Sequence, residues 1–168
     1  MSDERVGDGE TAMTDSAEAP GVSAVPHVPQ IPVVARVEAA LAALGADGPP
    51  VFDRRPQGER AWFADWAGDV LGSDVYIGLG SWAPDGETVQ LLLDDWTLEP
   101  VASTDAAALL TAALSGRGRI TDRRTLLVLR DQLLEIPVGD SVHSAARPAT
   151  EYAELSPWER RLYTPGAR

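Results

Sequence analysis

Asp94 and Asp95 follow the apolar run Val89–Leu93 and form the first pair of residues that could do chemistry. Adjacent carboxylates at a strand end suit a hard divalent cation, which takes oxygen ligands on a rigid platform. Glu99, Asp65, Asp69 or Asp74 would complete such a shell. The competing reading is a solvated turn, because Trp96 continues the β pattern and acid pairs are common in an acidic chain. No metal ligand is therefore assigned. Arg117, Arg119, Arg123, Arg124 and Arg130 form the basic cluster. Gly116 and Gly118 beside it would let backbone amides approach an anion, so Arg117 and Arg119 are the candidate anion-binding residues. Ser141, His143 and Ser144 lie too close in sequence for a triad, and the chain has no Gly-x-Ser-x-Gly elbow. No catalytic residue is assigned. Gly78-Leu79-Gly80 lacks the third glycine of a dinucleotide loop and reads as room for Trp side chains to pack across a sheet.

The tryptophans carry the most information. Trp62, Trp66, Trp82 and Trp96 fall in one section, and Trp158 lies near the end. Trp serves both cores and binding surfaces, since it joins a large apolar area to one donor. Set among acids, Trp62, Trp66, Asp94, Asp95 and Trp96 would form a face for a basic protein.

The 168 residues carry 26 acids against 14 arginines, a net charge of -12, with no lysine, asparagine or cysteine. That bias reads as a high-GC bacterial genome. Without cysteine there are no disulfides, thiolate metal sites or thiol nucleophiles. The acidic balance opposes binding to nucleic acid or an anionic membrane. The acidic opening Met1-Ser2-Asp3-Glu4 has no basic and apolar signal pattern, and no apolar run spans a bilayer, so the expected address is the cytoplasm.

The elements that must position these residues follow from periodicity and punctuation. Residues 1–30 are polar and acidic without aromatics, the composition of a disordered leader. Val34, Val37, Leu41 and Leu44 predict a helix, with Pro32 in its first turn and Gly45 as its cap. Three β segments follow: Ala61–Ala67, Val75–Trp82 and Thr88–Leu98. Gly68 to Asp74 and Pro84-Asp85-Gly86 separate them, though Trp62, Phe63, Trp66, Val70 and Leu71 also fit a helix face. A second helix is predicted from Ser103 or Thr104 to Gly116. Thr121–Ile136 fits a helix halted by Pro137, or a hairpin turning at Arg130-Asp131. Gly139 to Thr150 reads as loop, and Ser156-Pro157-Trp158-Glu159 as a capping box opening a short helix.

The expected fold is α+β, an antiparallel β-meander with two or three helices packed on one face. The expected organisation is a leader at 1–30, a domain at 31–140 and a tail at 141–168. The expected function is a non-enzymatic binding protein, of inhibitor, immunity or adaptor type, with no cofactor and a basic protein as partner. Two alternatives stand beside it. One is a divalent-metal enzyme acting on a phosphorylated substrate, and the other is a ligand sensor with a Trp-lined pocket.

Overall fold

A computed structural model describes residues 31–46, 51–53, 62–81, 86–125 and 129–165. The expected leader at 1–30 and Trp82 lie outside the described residues. Helix α1 spans Pro32–Ala43 and buries Val33, Val34, Val37 and Leu41. Proline fits the first turn because its missing N–H has no intrahelical partner there. Gly45, at φ +82°, ends the helix as expected.

The first sheet is an antiparallel meander of five strands: β1 (Val51–Asp53), β2 (Trp62–Val70), β3 (Ser73–Ser81), β4 (Thr88–Leu93) and β5 (Trp96–Ala102). The β reading of the Trp62 segment holds, and its helical alternative does not. The gap expected at Gly68 to Asp74 is mostly strand. Val70 pairs with Ser73, so only Leu71 and Gly72 turn, both at positive φ (53° and 74°). Two positive-φ residues match the twist of the strands they join. Likewise Thr88–Leu98 is two strands rather than one segment. Leu93 pairs with Trp96 around Asp94-Asp95, and Asp94 takes φ +49°. Aspartate tolerates that conformation, so the acid pair is a hairpin turn.

Helix α2 (Ala106–Leu114) starts two residues later than Thr104, and Gly116 at φ +80° closes it. A second sheet then forms from β6 (Arg119–Thr125), β7 (Leu129–Val138) and β8 (Ser141–Pro148), all antiparallel. The strand β9 (Tyr163–Thr164) adds in parallel beside β6. The hairpin reading of Thr121–Ile136 therefore prevails, but with another register. Thr125 pairs with Leu129, which places Arg130 and Asp131 inside β7. Gly139 to Thr150, expected as loop, is mostly β8. Helix α3 spans Pro157–Leu162, and Tyr163 leaves it for β9.

The fold class is α+β as expected, with a second sheet that the sequence reading did not foresee. Both sheets and all three helices share one core, including Leu41, Ile77, Leu91, Leu109, Ile120, Leu134 and Trp158. Strand β5 runs against β8 at the seam between the sheets. The segment expected as a tail thus supplies β8, Trp158 and Leu162 to the sheet and core. No described helix is long and apolar enough to cross a membrane.

Candidate functional site

Two arrangements collect the polar residues of interest: a buried junction where the sheets meet, and the outer face of the first sheet. The junction begins with the β4–β5 turn, which projects Asp94 and Trp96 towards α3. Helix α3 answers with Trp158 and Glu159. The indole Nε1–H of Trp96 donates to Glu159 Oε1 at 2.8 Å. The indole Nε1–H of Trp158 donates to Asp94 Oδ2, also at 2.8 Å. The two hydrogen bonds cross, so each segment gives one donor and one acceptor. Asp94 Oδ1 also accepts the Tyr76 backbone N–H at 2.8 Å.

Strand β8 adds Arg147. Its Nη2 lies 2.7 Å from Glu159 Oε1, with both side chains buried. The guanidinium sits 4.3 Å above the Trp96 ring, a cation–π contact. Arg147 also donates to Gln132 Oε1, and Gln132 Nε2 donates to the Thr150 carbonyl. Glu159 Oε2 accepts the Ser156 backbone N–H at 2.7 Å, the carboxylate half of the expected capping box. One carboxylate thus caps a helix, anchors a tryptophan and neutralises an arginine. Such saturation is what makes a buried ion pair tolerable. Burial raises the pKa of the Asp94 carboxyl; the Trp158 and Tyr76 hydrogen bonds pull against it, and the nearby Glu159 and Asp95 add to the rise.

These contacts correct the expected site. Trp96 is fully buried, and Trp66 is 8% exposed on the core side of β2. Trp62 is half-buried and packs against the same core. None of the three lies on an open face. Asp94 has both oxygens engaged within the chain. Asp95 alone of the five projects into solvent, its side chain 88% exposed and 3.9 Å from Arg147. Asp94 and Asp95 do not gather a cation shell: no three His, Cys, Asp or Glu side chains among the described residues are placed to hold a metal. The cavity lined by Trp66, Leu41, Ala46 and Gly68 measures ≈ 20 Å³, too small for a metabolite. A larger open depression of ≈ 320 Å³ is lined by Gly118, Arg119, Glu135, Pro137 and Val142, without tryptophan.

The expected anion residues are also redirected. Arg119 Nε donates to Glu135 Oε2 at 2.7 Å, which raises the arginine's pKa. Arg117 is exposed. Gly118 serves packing: a Cβ there would meet the Glu135 carbonyl at 2.9 Å. His143, expected in a loop, is in β8 and half-buried, its Nε2 3.9 Å from Asp105 Oδ2.

The outer face of the first sheet follows from the two-residue period of β-structure. Ala64, Trp66 and Val70 of β2 point inward with Val75, Ile77 and Leu79 of β3. Asp65, Ala67 and Asp69 therefore point outward, opposite Gly78, Tyr76 and Asp74. Phe63 lies over the two glycines: a Cβ on Gly78 would meet its ring at 2.7 Å, and one on Gly80 at 3.0 Å. The glycines do make room for an aromatic, but it is Phe63 and not a tryptophan. Leu92 borders it, and Glu99 accepts a hydrogen bond from Gln90 further along. Tyr76 is 37% exposed and Leu71 47%. Residues 62–102 contain eight acids and no arginine. Sequence reasoning found the charge of this face; the aromatic exposed on it is Tyr76, while Phe63 is 8% exposed. The alternation of Phe63 with Asp65, Ala67 and Asp69 was the signal available.

No protein-family model matches the chain, and no curated protein or solved structure matches it either.

Proposed function

We propose that the protein is a non-enzymatic binding protein that engages a cationic protein through the outer face of its first sheet. The supporting observation is the cross-strand pair Asp69–Asp74, directly opposite each other, with Asp65 and Tyr76 beside them and no arginine in strands β2 to β5. Like charges facing across a ladder destabilise the sheet. An arginine or lysine from a partner would relieve that repulsion, while the exposed Tyr76 and Leu71 would supply apolar contact. The face differs from the Trp-containing one expected from sequence, but its sign and its partner class are unchanged.

Opposite charge accelerates encounter and is screened by salt. The test is surface-based capture of cationic proteins at low salt, followed by association kinetics with the purified partner. The expected association rate falls about tenfold or more between low and physiological salt. It falls similarly when Asp65, Asp69 and Asp74 are changed together to Asn. Binding that ignores both salt and the triple substitution would overturn the assignment.

A further inference from the structure

The arginines of the second sheet and of α3 divide into two groups. Arg119 is paired with Glu135 and Arg147 with Glu159. Arg160 donates to the Ala153 carbonyl and Arg161 to the Leu114 carbonyl. Arg123, Arg124 and Arg130, all exposed at the end of the β6–β7 hairpin, make no ion pair with any described residue. Arg123 stands opposite Asp131 across the ladder, whereas Arg124 and Arg130 stand opposite each other, which is unexpected in a chain with 26 acids and 14 arginines.

The register sharpens this. Arg124 and Arg130 are direct cross-strand partners and lie on one face of the hairpin. The acid nearest along that face, Asp122, is already engaged. Its Oδ2 accepts the Tyr163 hydroxyl at 2.6 Å, and its Oδ1 accepts Gln132 Nε2 at 3.3 Å. The Ala149 backbone N–H donates to the Arg130 carbonyl, which holds this end of β7 in place. Arg124 and Arg130 thus share one face of the ladder as direct partners, and neither makes an ion pair with a described residue.

We infer that Arg124 and Arg130 form a binding site for a small oxyanion, with a phosphate dianion preferred to a monocarboxylate. Two guanidiniums match two negative charges, and each offers parallel N–H donors to a pair of oxygens. The size of the ligand follows from the net charge of -12. A polyanion such as nucleic acid meets the whole acidic surface, whereas a small ion meets only what lies within a screening length of about 8 Å at physiological salt. The site is separate from the acidic face and does not depend on the function proposed for it.

The test is an NMR titration of the full chain with inorganic phosphate at constant ionic strength, observing arginine Nε–H and backbone amide resonances. Resonances of Arg124 and Arg130 are expected to move, with acetate at least about tenfold weaker than phosphate. Replacing both with Gln should weaken phosphate binding about tenfold or more, while the Arg117→Gln, Arg119→Gln pair should leave it unchanged. Both positions are exposed, and phosphate should raise the urea midpoint of the native chain but not of the Arg124→Gln, Arg130→Gln chain. Absence of shifts, or shifts that survive that double substitution, overturns the site. Tighter binding of a short DNA than of phosphate overturns the small-ion assignment. So do shifts that track protein concentration without phosphate, because a neighbouring copy's carboxylates would then be the occupant.

Discussion

The first sheet and the junction beside the second use the same residue types to opposite ends. On the outer face of the first sheet, Asp65, Asp69 and Asp74 stand without a counter-charge from strands β2 to β5. At the junction, Glu159 and Asp94 are almost wholly consumed by Trp96, Trp158, Arg147 and backbone N–H groups. The difference teaches that charge alone does not mark a functional residue. A carboxylate whose acceptor sites are filled from within is part of the architecture. On the outer face Asp69 Oδ1 accepts the Gly72 backbone N–H at 3.0 Å, yet no ion pair with a described residue neutralises Asp69 or the Asp74 it faces, so their charge is available to a partner.

That comparison breaks most visibly at Arg147. Arg147→Ala leaves Glu159 buried without its cation and should destabilise the fold by about 3–5 kcal/mol, read by urea denaturation. Changing Arg147 to Met together with Glu159→Gln should recover much of the loss, since the buried charge then disappears. Equal destabilisation by the single and double changes would mean that packing, not charge, holds the junction.

Gly78→Ala tests the outer face next. The added methyl would strike the Phe63 ring and should cost about 1–3 kcal/mol in urea denaturation, as overpacking does. Asp74→Asn, on the same face, should stabilise by about 0.2–1 kcal/mol through relief of the Asp69 repulsion. The same change slows association. Stability and binding would thus move in opposite directions, which no junction residue should show.

The subtlest test is the pH dependence of Asp94. Its folded pKa is raised by burial, so folding favours the protonated form. The stability of the native chain relative to Asp94→Asn should therefore be greatest below the ordinary aspartate value of about 3.9. It should fall as pH rises through the raised folded pKa, then level off. Parallel urea titrations of the two proteins check this, and a difference that grows with pH would contradict the burial of Asp94.

Much of the fold was legible. Helix α1, the β-rich section, α2 and the Ser156–Glu159 helix start all carry local signals: apolar spacing, glycine stops and a proline at the first helical position. The two-residue turns at Leu71-Gly72 and Asp94-Asp95 were harder to see, because leucine and aspartate in positive φ leave little compositional trace. β8 was missed because its Ala, Ser and His residues give almost no apolar alternation. The charge of the candidate face was legible, but its aromatics were not. By sequence Trp62, Trp66 and Trp96 fit a core or a binding face; Trp66 and Trp96 are buried, since burying the largest side chains gains more than displaying them. The junction was invisible, since Trp96 and Glu159 lie 63 residues apart.

From residue order alone come the absence of thiol chemistry, the acidic stretch free of arginine at 62–102, and the start of α1 at Pro32 with its stop at Gly45. These depend on composition and on neighbours within a few residues. Tertiary structure alone decided that Thr121–Ile136 pairs as a hairpin, that Trp66, Trp96 and Trp158 turn inward, and that Arg147 meets Glu159. A short apolar run fits helix and strand alike, so the choice falls to whichever partner covers it. Which face of a strand is inside depends on register with a neighbour, and no local period records that.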